Sequence, residues 1–369
     1  MKKSLLFFFA LLISLLALSA CDSHVCEYGE WMPLDGDEAD CTKDGMEIRI
    51  CKGDPSHSET RDAEALGHKY PDGLDYGICE RCGHNEHMLS DKKVIVIGNS
   101  HTYFGGMVNE IPQSMMQLNF RTGDKGYFYT LCKANDVFNI QVTNWTFGNH
   151  SLKDLFSGYC NADRSCGNGS DHLSHLTDNN FDYVIFQNGS THGDEIMKWI
   201  DVMMNFFKEG NPDTKFLMLV QARAHNDHAA DSEKYSWLEN LSEIEEKGVT
   251  IVDWGRIVYG LYSGGITLPG ENILPLDKNS FVIAKSEADG YHPSLLAGYI
   301  TTLMTYCAIT GESAVGQDYS FCSTTRSFSS FIKNYYKIGE TNFPEIFESE
   351  ETMRAIQELV DEHLASGAK

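Results

Sequence analysis

Five short apolar runs punctuate the middle of the chain: Val94-Ile-Val-Ile97, Val137 to Val142, Tyr183-Val-Ile-Phe186, Phe216-Leu-Met-Leu-Val220 and Val249-Thr-Ile-Val252. Runs this short, apolar without alternation, are the pattern of strands buried on both faces. Between them, apolar residues recur at helical spacing over about 106–118, 125–135, 194–208 and 232–246. Strands alternating with helices predict an α/β domain, a five-stranded parallel sheet with helices on both faces. Right-handed crossovers then gather the functional loops at the carboxyl ends of the strands.

The flanks break this pattern. Residues 21–90 are polar, contain Cys and His, and lack apolar runs, which predicts a small surface module. The domain proper spans 91–318, and 319–369 forms a C-terminal extension ending in an amphipathic helix near Glu350 to Leu364. Residues 1–20 read as an export signal: Lys2 and Lys3, an apolar stretch from Leu5 to Leu18 too short for a comfortable span, then Leu18-Ser-Ala-Cys21. The last four residues resemble the lipobox of bacterial lipoproteins. That resemblance implies acylation of Cys21 and an exported chain held on a membrane by lipid, at the cell surface or facing the periplasm.

Charge narrows the partners. The chain of 369 residues carries 53 acidic against 29 basic side chains, a formal net charge of -24. So acidic a body does not bind nucleic acid through its phosphates.

Cysteine usage leaves alternatives open. Of eleven cysteines, Cys21 is the lipid site, and Cys160 and Cys166, close together in a polar loop, are the expected disulfide. Cys307 lies in an apolar helical stretch and reads as a small buried hydrophobe. In the small module, Cys79-Glu-Arg-Cys82 with His84 and His87 is compatible with a disulfide staple, a zinc site or free thiols. The module resembles a short unit of bacterial surface proteins with a Gly-Glu-Trp start and an Ala-x-Gly-His end, here Gly29-Glu-Trp31 and Ala65-Leu-Gly-His68. Where that unit usually carries Cys-x-x-Cys-Gly-His, this chain has Cys51-Lys-Gly-Asp-Pro-Ser-His57.

The chemistry sits at strand ends. The first run leads directly into Gly98-Asn99-Ser100-His101-Thr102. A serine here is exposed where a parallel sheet presents reactive groups, and the preceding glycine permits a sharp turn. Far along the chain, Asp289-Gly-Tyr-His292-Pro293-Ser294 precedes the apolar helical run Leu295 to Ile309. His292 can then offer one ring nitrogen to the serine and the other to Asp289, which fixes the tautomer and stabilises the imidazolium. A serine alone does not attack an ester at neutral pH; an imidazole base is the needed complement.

Gly98-Asn99-Ser100-x-Thr102 and Asp289-x-x-His292-Pro293 resemble the first and last blocks of the SGNH (GDSL-like) hydrolases, over roughly residues 92–312. The resemblance implies a three-layer, flavodoxin-like α/β/α sandwich, with Ser100 as nucleophile, His292 as base and Asp289 as its acid. It also implies an oxyanion hole built from the N–H groups of Ser100 and Gly148, in Thr146-Phe-Gly148-Asn-His150. The family's Gly-x-Asn-Asp block is absent; Phe186-Gln187-Asn188-Gly189 stands in its place, as in a subgroup of largely uncharacterised members, so a third donor falls to Gln187 or Asn188. Asn99, His101, Trp145 and Tyr291 are the expected pocket residues, Trp145 and Tyr291 either stacking on a sugar or simply packing. Histidines at 101, 150, 192, 225 and 228 line these loops, but a serine mechanism needs no metal or other cofactor. The implied reaction is ester hydrolysis through an acyl-enzyme, with an acylated small molecule or polysaccharide as substrate and carbohydrate O-acetyl groups as the expected target. The alternatives are a glycan-binding lipoprotein without turnover, and a lipase or thioesterase.

Overall fold

The computed structural model describes residues 25–71, 74–103, 105–107, 121–122, 126–147, 150–157, 176, 178–187, 194–221, 241–276, 278–281, 293–323 and 343–366. Cys21, Gly148, Cys160, Cys166, Asn188, Asp289, Tyr291 and His292, and the helix expected at 106–118 for all but its first two positions, lie outside these residues. Among the described residues no helix is long and apolar enough to cross a membrane. The chain divides into two compact units, Met1–Glu86 and His87–Lys369.

The first unit is built on an antiparallel sheet of β1 (Met32–Pro33), β2 (Gly45–Ile50) and β3 (Ser58–Ala63). A second ribbon pairs β4 (Gly77–Ile78) with β5 (Asn85–Glu86). On the sheet, Glu47 pairs with Arg61 and Arg49 with Glu59, and both guanidinium groups lie over the Trp31 ring at 4.3 and 4.7 Å. Its buried side chains are few. Among the described residues of this unit only Cys41, Cys51 and Cys79 bring a side chain into the buried class. The described residues of this unit therefore supply no apolar core to stabilise it.

In the second unit the sheet is formed by β6 (Lys93–Gly98), β7 (Arg121–Thr122), β8 (Gln141–Thr146), β9 (Tyr183–Gln187), β10 (Lys215–Leu219) and β11 (Val249–Val252). The strand order is β11-β10-β9-β6-β8-β7. Five strands are parallel, in the doubly wound 2-1-3-4-5 order of flavodoxin-like folds, and β7 adds an antiparallel edge.

Alternate residues of each strand face opposite layers. Val94 and Val96 of β6, Ile185 of β9 and Leu217 of β10 point into one core. That core is closed by α2 (Tyr127–Ala134), α6 (Trp254–Ser263), α8 (Leu295–Thr310) and α10 (Glu350–Ser366). Ile95, Ile97, Val184, Phe186 and Met218 point into the other core, under α3 (Leu152–Phe156), α4 (Asp194–Gly210) and α5 (Leu241–Glu246). The remaining helices are α1 (Ser100–Tyr103), α7 (Lys278–Phe281) and α9 (Phe343–Glu348). The result is a three-layer α/β/α sandwich. Each fully buried Val, Ile, Leu or Phe stabilises such a core by about 1.5–3 kcal/mol.

Helix α4 buries Ile196, Trp199, Ile200, Met203, Met204 and Phe207, an i, i+3, i+4 stripe. Helix α8 is buried nearly all round, Cys307 included, and ends at Gly311 in the left-handed conformation. The C-terminal segment is no appendage: Phe347, Met353, Ile356 and Val360 belong to the same core as α8.

One strand is displaced from its expected place. Val137 and Ile140 are buried, yet Asp136 and Asn139 adopt positive φ (57° and 49°), and the strand begins only at Gln141. Val137 to Ile140 is therefore an irregular segment that buries Val137 and Ile140 and leaves Phe138 exposed, and the strand itself is Gln-Val-Thr-Asn-Trp-Thr.

Candidate active site

The carboxyl ends of β6 and β9 flank the point where strand order reverses, the natural site crevice of this topology. Ser100, half-buried, opens the single turn α1 there. The carbonyl of Asn99 accepts the N–H groups of Thr102 at 2.9 Å and Tyr103 at 3.3 Å. The Asn99 side chain accepts the His101 N–H at 3.0 Å and donates to the carbonyl of His150 at 3.2 Å. Asn99 is thus a buried cap and tie, not the pocket residue the sequence suggested; its carboxamide has both ends engaged. His101 follows Ser100 in the turn and is half-buried.

The loop after β8 is fastened to the same dipeptide. Phe147 donates its N–H to Gly98 O at 2.9 Å, and His150 O accepts from Asn99. Ser151 then caps α3 in a reciprocal pair with Asp154. The described neighbours on both sides of Gly148 and Asn149 are therefore held against Gly98 and Asn99.

Gln187 occupies the end of β9 with 3% exposure. Its Oε1 accepts from the Thr102 hydroxyl at 2.5 Å, and its amide N–H donates to Gln221 Oε1. Thr102, Gln187 and Gln221 form a buried polar chain beneath the serine turn, across the ends of β6, β9 and β10. The amide expected to face a developing oxyanion is directed instead at Gln221. The same chain explains Gly98: a Cβ there would overlap the Thr102 hydroxyl and lie 3.3 Å from Gln187 Oε1.

Trp145 is fully buried on β8, edge-on to Phe147 at 5.7 Å and Phe156 at 5.4 Å. The sugar-stacking alternative fails for this residue, because its face of the sheet points into the α3/α4 core. Of the expected site residues, the fold brings Asn99, Ser100, His101 and Gln187 together at the carboxyl ends of β6 and β9 and sends Trp145 into the core.

Two features were not anticipated. Gln221 follows Met218-Leu-Val220 just as Gln187 follows Val184-Ile-Phe186, so the paired strand-end glutamines are a sequence signal. The other feature is the contact of Gly105 with Gly298. A Cβ on Gly105 would lie 3.0 Å from the Gly298 Cα and 3.5 Å from Pro293 Cγ. Ser294 caps α8, accepting the Ala297 N–H at 3.2 Å and donating to Ser280 O at 2.7 Å. The start of α8, entered from His292-Pro293, is thereby seated on the segment that leaves the serine turn.

No protein-family model matches the chain, and the curated proteins compared with it give no match. Among solved structures, it is similar to an alpha/beta hydrolase enzyme from the metagenome of Lake Arreo, Spain, at 14% identity and a TM-score of 0.38 over 60% of this chain and 96% of that one. It is also similar to a catalytic mutant of an acetylxylan esterase from Geobacillus stearothermophilus, at 15% identity and a TM-score of 0.36 over 60% and 95%. A possible lipase from Chitinophaga pinensis gives 13% identity and a TM-score of 0.33 over 60% and 97%. At these scores none of them assigns a role to a residue of this chain.

Proposed function

We propose that the chain is a serine ester hydrolase of the SGNH type, with Ser100 as nucleophile, His292 as general base and Asp289 as the carboxylate that orients it. The observation that carries this reading is the Gly105–Gly298 contact, because it seats Pro293, the residue after His292, beside the segment that follows Ser100. In the proposed reaction His292 takes the Ser100 proton as Oγ attacks the ester carbonyl. Collapse of the tetrahedral intermediate expels the alcohol, protonated by His292, and water then cleaves the acyl-enzyme with His292 again as base. The backbone N–H groups of Ser100 and Gly148 are the oxyanion donors in this scheme, and Asn188 is the side chain left for a third.

We further propose O-acetylated carbohydrate as the substrate class, Tyr291 as a sugar contact, and anchorage of the exported chain through a lipid on Cys21. The engagement of Gln187 with Gln221 favours one rival, a glycan-binding protein without turnover, since it removes one expected donor. A fluorophosphonate probe separates the two. Labelling of the wild type that disappears in Ser100→Ala and drops at least a hundredfold in rate in His292→Ala is the expected result. A folded wild type that takes up no probe and hydrolyses neither acetylated sugars nor acyl-nitrophenyl esters overturns the enzymatic reading. Mass spectrometry of the N-terminal peptide tests the lipid on Cys21.

A further inference from the structure

The geometry of the N-terminal unit points to a structural zinc site formed by Cys41, His68, Cys79 and Cys82. One ligand atom from each of these residues lies within 4.8 Å of the other three. Two opposite edges have lengths close to those of a tetrahedral site. Ligands held tetrahedrally at about 2.3 Å for sulfur and about 2.0–2.1 Å for nitrogen stand about 3.8 Å apart for two sulfurs and about 3.5 Å for sulfur and nitrogen. Cys41 Sγ and Cys79 Sγ are 3.8 Å apart, and Cys82 Sγ and His68 Nδ1 are 3.3 Å apart. A disulfide between Cys41 and Cys79 requires sulfurs about 2.05 Å apart and would leave Cys82 and His68 without a role.

The backbone supports the same assignment. Between Cys79 and Cys82 the chain makes a tight turn, with Gly83 at φ 72° donating its N–H to Cys79 O at 2.9 Å. The Lys69 N–H points at Cys79 Sγ from 3.4 Å, as donors do around a thiolate ligand. A second observation is independent of these distances. Among its described residues the unit buries no side chain but cysteine, so it needs a cross-link to hold its shape, and two of those three buried side chains belong to this cluster.

The set differs from the one suggested by nearness in sequence. His84 Nε2 is engaged by Glu86 at 3.0 Å, and His87 Nε2 lies 2.9 Å from the Tyr306 hydroxyl. Cys41 and His68 take their places. Binding releases three thiol protons, and three thiolates with a neutral imidazole leave the Zn²⁺ site with one net negative charge.

The test uses the full chain, purified anaerobically in detergent without added reductant or chelator. Bound zinc is counted by elemental analysis, and Co²⁺ is substituted for zinc to read the ligand field. The expected result is visible d–d bands of a tetrahedral cobalt centre with near-ultraviolet thiolate charge transfer. His68→Ala and Cys82→Ser should each lose one equivalent of metal relative to the parent, while His84→Gln keeps it. Because His68 and Cys82 are less buried than Cys41 and Cys79, near-ultraviolet circular dichroism of the remaining domain can confirm that these variants fold. A parent chain without zinc, unchanged metal content in both ligand variants, or a Cys41–Cys79 disulfide in the non-reduced peptide map would each overturn the assignment. None of these readouts depends on ester hydrolysis.

Discussion

The backbones of Gly105 and Gly298 touch, with no room for a side chain on Gly298 and only a tight fit for one on Gly105. This contact joins the segment after Ser100 to the first turn of α8, the helix that follows the proposed Asp289 and His292 along the chain. Gly298→Ala drives a methyl into the Gly105 carbonyl oxygen and must separate the two segments. Overpacking of this kind costs about 1–3 kcal/mol. We expect a lower urea midpoint and a loss of fluorophosphonate labelling larger than the unfolded fraction accounts for. Gly265→Ala is the control, because the added Cβ there meets its nearest atom at 3.5 Å and the backbone is not left-handed. Equal labelling in both variants would count against the junction.

The buried chain Thr102–Gln187–Gln221 gives a second test. Thr102→Val keeps the shape but strands Gln187 Oε1 without its donor. An unpaired buried acceptor costs about 1–3 kcal/mol. A residue that only positions the serine turn shows this as a stability loss, with kcat reduced less than tenfold. A direct oxyanion donor at Gln187 would instead make Gln187→Ala lose about 10²–10³ in kcat. Unfolding curves and ester kinetics on both variants decide between the two roles.

The sheet was legible because three of its five parallel strands carry uninterrupted apolar runs and a fourth is broken only by Thr250, and such runs need no tertiary knowledge to be read. The second strand was expected four residues too early because its buried positions include Thr143, Asn144 and Thr146. Asn144 Oδ1 accepts from the Thr146 hydroxyl and N–H, a local pairing that hides polarity inside the sheet. Val137 and Ile140 mimicked a strand because burial, not extension, made them apolar. The serine turn was legible from Gly98-Asn99-Ser100, but Gln187 was given the wrong partner, since nothing local reports that Gln221 lies beside it. Trp145 misled for a related reason: an aromatic residue near a site block reads as a pocket wall, and only the strand's alternation decides which core it faces. The cysteine cluster joins Cys41 to Cys79 across two separate strand pairs, whereas spacing along the chain favours near neighbours such as His84.

Acid should weaken the hold of Glu351 on the segment that packs against the C-terminal helix. Its carboxyl is held below the usual carboxylate range by hydrogen bonds from Asn272, side chain and backbone, and from the Glu271 N–H, against the opposing effect of desolvation. A carboxylate whose folded pKa is depressed stabilises the protein above its unfolded pKa of 4.5 and loses that contribution as pH falls through the folded value. Glu351→Gln should therefore be less stable than the parent at pH 7, with the difference shrinking as pH drops below 4.5. Urea midpoints of both proteins across that window give the comparison. A difference independent of pH would mean that the carboxylate's charge does not contribute.

Trp145 offers the cleanest separation of packing from substrate contact. Its indole N–H is buried and meets no acceptor among the described residues, while the ring packs on Phe147 and Phe156. Trp145→Phe removes an unsatisfied donor, which favours the variant, and leaves a small void, which disfavours it. The two effects oppose, so the net change should stay within about 1.5 kcal/mol, the range of tolerated apolar exchanges. Because the ring faces the α3/α4 core, KM for an acetylated oligosaccharide should be unchanged. A several-fold rise in KM with stability intact would restore Trp145 to the substrate pocket and would require the strand to present its other face to the crevice.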